Sequence, residues 1–266
     1  MYKRAFLTIS VLLIFFAGFL LSMPVHAENH HIKGLPSEKA WELYYQKEYE
    51  KALALSLDMY KSGKVKTPDM PILIGMLYSK TGQHESALAY LDYSKLVVQG
   101  MDTYARLFGT IKSIDKEREF RKAWIGTYRE VTFAAVSSNE ALGRWEKIIS
   151  DIKEMQKRTS TNTMIDNMQL GFAYYKSGNY GEASYYFEKA YVKSDNNKGK
   201  ADNAYSVGAT KAKQGKTEES INWLKKSISH DSSYFLKIKS DSDFDQIREK
   251  TEFKNFLSNY SKEGLR

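Results

Sequence analysis

The stretch Asn167–Tyr191, NMQLGFAYYKSGNYGEASYYFEKAY, decides the fold. Leu170 and Tyr174 lie four apart, and Ala183, Phe187 and Ala190 recur at spacings of four and three, so each group shares one face of a helix. Gly178-Asn179 separates the two apolar patterns and predicts a tight turn between antiparallel helices. Gly171 has no side chain where a partner helix must come close, and Ala183 has the same role on the opposite helix. Large residues, Tyr174 and Phe187, stand beside these small ones.

The offsets of Leu170, Gly171, Tyr174, Gly178, Tyr180, Ala183, Phe187 and Ala190 resemble those of the tetratricopeptide repeat family. Members of that family stack helical hairpins of about 34 residues into a solenoid. The resemblance implies an all-α fold and a binding rather than a catalytic role. Further copies fall on the same offsets. Ile74, Gly75, Tyr78, Gly82, Ala87 and Leu91 form one over residues 69–99, with Pro71 at the helix start. Val207, Gly208, Gly215, Ser220, Leu224 and Ser227 form another over 201–231, and the quoted stretch belongs to a copy at 164–194. A weaker copy at 37–66 opens on Pro36-Ser37 and places Ala40 and Ala52 at the small positions, with Lys47 where the turn glycine belongs.

Before these repeats, Lys3 and Arg4 precede an apolar run from Ala5 to Met23, and Val25-His26-Ala27 supplies small residues at minus three and minus one. This pattern predicts a secretory signal peptide, residues 1–27, cleaved after Ala27. The alternative is an uncleaved anchor, since the run approaches the roughly 18 residues that a spanning helix requires. Cleavage leaves 239 of the 266 residues, beginning with a polar lead at 28–36. Its third residue would be His30, the position from which an imidazole joins a terminal amine and two amides around Cu(II) or Ni(II). Without Lys3 and Arg4 the net charge is +6, small enough for a solvated exterior and no argument for a nucleic-acid surface. The chain has no cysteine, which rules out disulfides, thiolate metal sites and a lipid-modified cysteine.

Ala183 follows Ala87 by 96 residues, about 2.8 repeat lengths, so regular alternation fails over 100–163. Ala105, Phe108 and Gly109 could start a first helix with Phe120 and Ala123 opening its partner, or one long helix could run from about Ile114 to Val136. A further helix is expected from Asn139 to about Lys157, with Trp145, Ile148, Ile149 and Ile152 as its apolar stripe. The polar run Thr159–Thr163 should cap the next helix. At the other end, residues 232–266, with Phe244, Phe253, Phe256 and Leu257, resemble the terminal element that covers the open face of a solenoid.

Motifs of catalysis do not survive this frame. Gly215-Lys216-Thr217 is like part of a phosphate loop, but Thr210 stands where its first glycine belongs. Asp241, Asp243, Asp245 and Glu252 have calcium-loop spacing, but Gln246 takes the place of the obligatory glycine. There is neither an HExxH pair nor a GxSxG elbow. No cofactor or metal is expected, the protein is read as a non-enzyme, and a hydrolase is the third-ranked reading.

The resemblance implies that first helices line an inner face able to hold an extended peptide. Residues one, four and five places beyond each small position should project there. They are Trp41, Tyr44 and Tyr45; Met76, Ser79 and Lys80; Phe172, Tyr175 and Lys176; and Ala209, Ala212 and Lys213, with Met168 and Tyr205 a turn earlier. The family's carboxylate-gripping clamp does not match, since Ser37, Trp41 and Leu73 occupy its lysine and asparagine positions. The expected partner is therefore an apolar or aromatic segment of another envelope protein, with acidic flanks favoured by the lysines.

Overall fold

At five points the backbone makes the same left-handed step. Lys47, Gly82, Gly143, Gly178 and Gly215 take φ of 64°, 78°, 68°, 79° and 73°. After each, the next amide donates five residues back: Glu48 to Leu43, Gln83 to Tyr78, Arg144 to Asn139, Asn179 to Tyr174 and Lys216 to Lys211, at 2.8–3.0 Å. These are Schellman closures, which satisfy a helix's last carbonyls while reversing the chain. At four of them glycine takes the conformation without a Cβ penalty; Lys47 takes it at a steric cost.

The computed structural model describes residues 36–65, 67, 69–108 and 114–263. Among them the structure is helical throughout, with no strand. The chain divides into two compact units, one ending at Arg144 and the other beginning at Trp145.

In the first unit, α1 (Glu38–Tyr45) and α2 (Tyr49–Lys61) are followed by α3 (Asp69–Lys80), α4 (His84–Phe108) and α5 (Ile114–Ala141). Ser37 precedes α1 as expected, but its hydroxyl turns away from the helix amides and donates to Asp69 Oδ2 at 2.5 Å. Helices α3 and α4 close on Gly75, where an added Cβ would stand 2.7 Å from Leu91 Cγ. Helix α4 runs unbroken past Ala105, so no first helix begins there, and Gly109 lies outside the described residues. Helix α5 is the long helix of the second sequence alternative, carried beyond Val136 to Ala141. It contributes Trp124 and Tyr128, stacked with centroids 5.5 Å apart, to the core.

Asn139 therefore belongs to α5, and the helix expected from that residue starts only at Trp145, after the turn at Gly143. Gly143 lies 35 residues before Gly178, in repeat phase. The phase is hidden because the positions that carry Gly171 and Ala183 in the clearest copy hold Val136 and Ile148 here, both buried.

The second unit contains α6 (Trp145–Thr159), α7 (Met164–Lys176), α8 (Tyr180–Lys193), α9 (Asn197–Lys213) and α10 (Thr217–His230). Ile148, Ile152 and Met155 form the buried stripe of α6. Thr163 caps α7 in a capping box with Asp166, as the polar run predicts. An added Cβ at Gly171 would meet the Phe187 ring at 2.7 Å, and one at Gly208 would meet Leu224 Cδ2 at 2.6 Å. Opposite Gly208, Ser220 returns its hydroxyl to the Gly208 carbonyl at 2.8 Å.

Beyond α10 come α11 (Tyr234–Ser240), a 3-10 turn (Ser242–Phe244), α12 (Asp245–Arg248) and α13 (Thr251–Glu263). Phe244, Ile247, Phe253 and Phe256 are buried against Ala209, Ile221 and Leu224, closing the apolar face of α9 and α10. Substituting alanine at Gly171 or Gly208 should push Phe187 or Leu224 off its rotamer and cost about 1–3 kcal/mol. Urea unfolding followed by circular dichroism checks this, with Gly100→Ala, which meets nothing within 4 Å, as the unstrained control.

Candidate functional site: the first-helix faces

The first-helix face of the N-terminal unit is built around one buried carboxylate. Asp69 is fully buried at the start of α3 and accepts from both Ser37 Oγ and Trp41 Nε1, the latter at 3.1 Å. That bond fixes the indole of Trp41 inside the packing, 5 % exposed, rather than on an open floor. Spacing alone places Trp41 on the inner face; a carboxylate 28 residues further along draws it into the core.

Trp41 in turn supports the rings of Tyr44 and Tyr45, with centroids 5.7 and 6.0 Å away, and those two meet edge to face at 5.6 Å. Tyr45 is 39 % exposed, the most open ring of the three. Glu130, projecting from α5, lies within electrostatic reach of both tyrosines. Burial raises its carboxyl to about 7. Burial first, then the Glu130 carboxylate, raises the Tyr44 phenol to about 12. Met76 is half-buried between α3 and its neighbours, and Ser79 accepts from Ser138 of α5 at 3.0 Å. Lys80 is exposed.

In the C-terminal unit, Met168 and Phe172 pack partly buried against Ala183, Phe187 and Val207. The Lys176 ammonium sits 5.3 Å from the centre of the Phe172 ring and is exposed to solvent. The other predicted side chains of this face are taken by the chain itself. Tyr205 donates its phenol to Asp241, and Lys213 pairs with Asp243 at 3.2 Å. Ala209 and Ala212 are buried. The Tyr175 hydroxyl is buried near Asp243 and makes no hydrogen bond, and burial first, then that carboxylate, push its phenol far up. Burial works to raise Asp241, but the Tyr205 hydroxyl, the Asp243 amide and the nearby Lys237 and Lys213 outweigh it and hold the carboxyl below its usual range. Lys237 also lies 4.0 Å over the Tyr205 ring.

An acidic turn of the protein's own cap thus fills the end of the face where Tyr205 and Lys213 were expected to be open. The carboxylates with calcium-loop spacing face different partners: Asp241 the Tyr205 phenol, Asp243 the Lys213 ammonium and Asp245 the Arg248 guanidinium at 2.9 Å. The candidate positions form two sets. Trp41, Tyr44 and Tyr45 come together in one unit, and Tyr175, Tyr205 and Lys213 in the other.

Sequence reading missed Asp69, Glu130, and Asp241 and Asp243 as internal ligands. The acidic pair carried a signal, since Asp241-Ser-Asp-Phe-Asp has the acidic and aromatic composition expected of a bound segment. Glu130 carried none, because it lies where the repeat phase is lost. Among the described residues no group of three or more His, Asp or Glu is placed to hold a metal ion, and no helix is long and apolar enough to cross a membrane. The run Ala5–Met23 and His30 lie outside those residues.

A tetratricopeptide repeat profile matches residues 72–92, the hairpin closed at Gly82. Comparison with curated protein sequences finds no significant match. Among solved structures, the apo form of RapI superposes with a TM-score of 0.59 at 13 % identity, covering 89 % of this chain and 65 % of that one, so this chain spans less than two thirds of RapI. The thermophilic tetratricopeptide protein TTC0263 of Thermus thermophilus gives 0.41 at 16 % identity, covering 78 % and 96 %. The Rap conjugation regulator of plasmid pLS20, solved with the Phr* peptide, gives 0.46 at 15 % identity, covering 86 % and 63 %. The likeness to RapI is one of fold. The tetratricopeptide repeat match is confined to that one hairpin, and the described residues are all-α, built of recurring helix pairs like those of the tetratricopeptide repeat proteins.

Two stability measurements follow from this geometry. Trp41→Ala should cost about 3 kcal/mol or more, because it empties a core site and strips a partner from Asp69, whereas Tyr45→Ala should cost much less. Glu130 takes up a proton more readily folded than unfolded, so its contribution is complete below about 4.5 and is lost as pH rises through about 7. The loss is at most about 3 kcal/mol and is reduced by residual exposure. Thermal unfolding of wild type and Glu130→Gln between pH 4.5 and 8 checks it: the variant should lack this part of the decline.

Proposed function

We propose that this protein is an exported, non-enzymatic scaffold that holds an extended segment of another envelope protein on its first-helix faces. The observation that carries the reading is the seating of the protein's own acidic turn, Asp241 to Asp245, on Tyr205 and Lys213 of α9. A face that accommodates one acidic, aromatic segment has the hydrogen-bond donors and the positive charge to accommodate another. Tyr45, Lys80, Lys176 and the partly open Met168 and Phe172 remain for an incoming chain, and the exposed lysines favour acidic flanks.

Export rests on Lys3, Arg4, the apolar run and the Val-x-Ala site. The membrane-tethered alternative is carried by the length of that same run. Mass spectrometry of the protein recovered from cells decides between them: Glu28 as first residue supports export, and an intact amino terminus in the membrane fraction supports the tether.

An envelope partner recovered by affinity capture and identified by mass spectrometry provides the binding test. Tyr45→Ala should weaken its binding by about 2 kcal/mol if the ring is a hot spot. Lys176→Glu should mainly slow association and reduce its salt dependence. Undiminished binding by both folded variants would remove the first-helix faces as the binding site.

A further inference from the structure

A cleft of about 590 Å³ opens between α10 and α13, a second helix and the last helix of the terminal cover. Glu218, Asn222 and Lys225 line it from α10, and Glu252, Asn255 and Asn259 line it from α13. Spacings of four and three, and of three and four, keep each trio on one face of its helix. Ile221 and Phe256, both buried, lie beneath them.

The two helices run in the same direction. Lys250, just before α13, donates from its ammonium to the carbonyl of Gly215, just before α10, at 3.3 Å. Tyr260, late in α13, stacks on Phe235 of α11, beyond the end of α10, with centroids 6.0 Å apart. The two glutamates therefore share one end of the cleft, Lys225, Asn259 and Tyr260 share the other, and Asn222 and Asn255 stand between. The helical rise from 218 to 225, and from 252 to 259, sets the ends about 10 Å apart.

None of these six polar side chains makes a hydrogen bond or ion pair among the described residues, and all six are exposed. Charges just outside the cleft are paired: Glu219 meets Lys211 at 2.9 Å, and Glu249 meets Lys254 at 2.7 Å. The helix dipole favours a glutamate in a first turn, which accounts for Glu218 and Glu252 singly. It does not account for two carboxylates at one end, an ammonium at the other and three carboxamides along the walls. A carboxamide offers a donor and an acceptor side by side, and a peptide group presents the complementary pair. The ends of the cleft attract opposite charges, an ammonium at the glutamates and a carboxylate at Lys225.

We propose that this cleft is a binding site for a free, extended peptide of three residues. Its amino terminus lies between Glu218 and Glu252, its carboxyl terminus at Lys225 and Asn259, and its peptide groups on Asn222 and Asn255. An extended chain spans at most about 3.3–3.6 Å per residue, so three residues match the separation of the charged ends. A peptide blocked at either terminus forfeits one end. The site shares no residue with the first-helix faces and goes beyond the function proposed for them.

The probes are trialanine, acetyl-trialanine and trialanine amide, titrated by calorimetry at pH 7, where lysine, glutamate and both free termini are charged. They are tested on wild type, on the double variant Glu218→Gln with Glu252→Gln, and on Lys225→Met, each shown by circular dichroism to be folded. The wild type should prefer trialanine to either blocked form by about fivefold. The double glutamine variant should lose the preference over acetyl-trialanine, to less than about twofold, and keep that over the amide. Lys225→Met should do the reverse. A merely structural role for these side chains would not exchange the two preferences in this way. Equal affinity of wild type for all three peptides, preferences that survive both variants, or no binding of trialanine at millimolar concentration overturns the inference. Each of these outcomes leaves the first-helix reading standing, because Tyr45 and Lys176, which test it, lie outside the cleft.

Discussion

Everything in this protein depends on how closely two helices approach at a glycine. At Gly75, Gly171 and Gly208 the space that a Cβ would occupy belongs to Leu91, Phe187 and Leu224. This contact sets the separation of each hairpin's helices, and the Schellman turn seven residues later sets where the chain reverses. Together they fix which side of a first helix is spent on its own partner. What remains of that helix can pack on the next pair or face a ligand.

The same constraint explains why the middle of the chain departs from the pattern. Val136 and Ile148 stand in place of the small residues, so no glycine marks a close approach there, and long helices replace short ones: α4 extends to Phe108 and α5 reaches from Ile114 to Ala141. Residues of α5 thereby come alongside α3 through Ser138 and Ser79, and Glu130 comes within electrostatic reach of Tyr44 and Tyr45.

At the carboxyl end the apolar and polar halves of the cap act on different parts of α9. Phe244, Ile247 and Phe253 cover what would otherwise be an exposed core face. Asp241 and Asp243, on the same turn, engage Tyr205 and Lys213. One short segment thus closes the hydrophobic core and occupies the polar end of the first-helix face, through different side chains.

The turns at 82, 178 and 215, the small residues beside them, the cap of α7 and the terminal aromatic cover were all legible in the sequence, because each depends on backbone geometry and on neighbours within a turn or two of helix. The sequence also named the side of each first helix from which side chains project. It could not say which of those side chains stay open. Trp41 and Tyr45 occupy equivalent faces of α1, yet one is buried and the other open, because Asp69 arrives from the next hairpin to take the indole N–H. Tyr205 and Lys213 read like Lys176, but only they meet carboxylates from the cap. Periodicity is a property of one helix and is written locally. Burial and pairing depend on groups that the fold alone brings near, and so the tertiary structure decided which of the predicted side chains stay exposed.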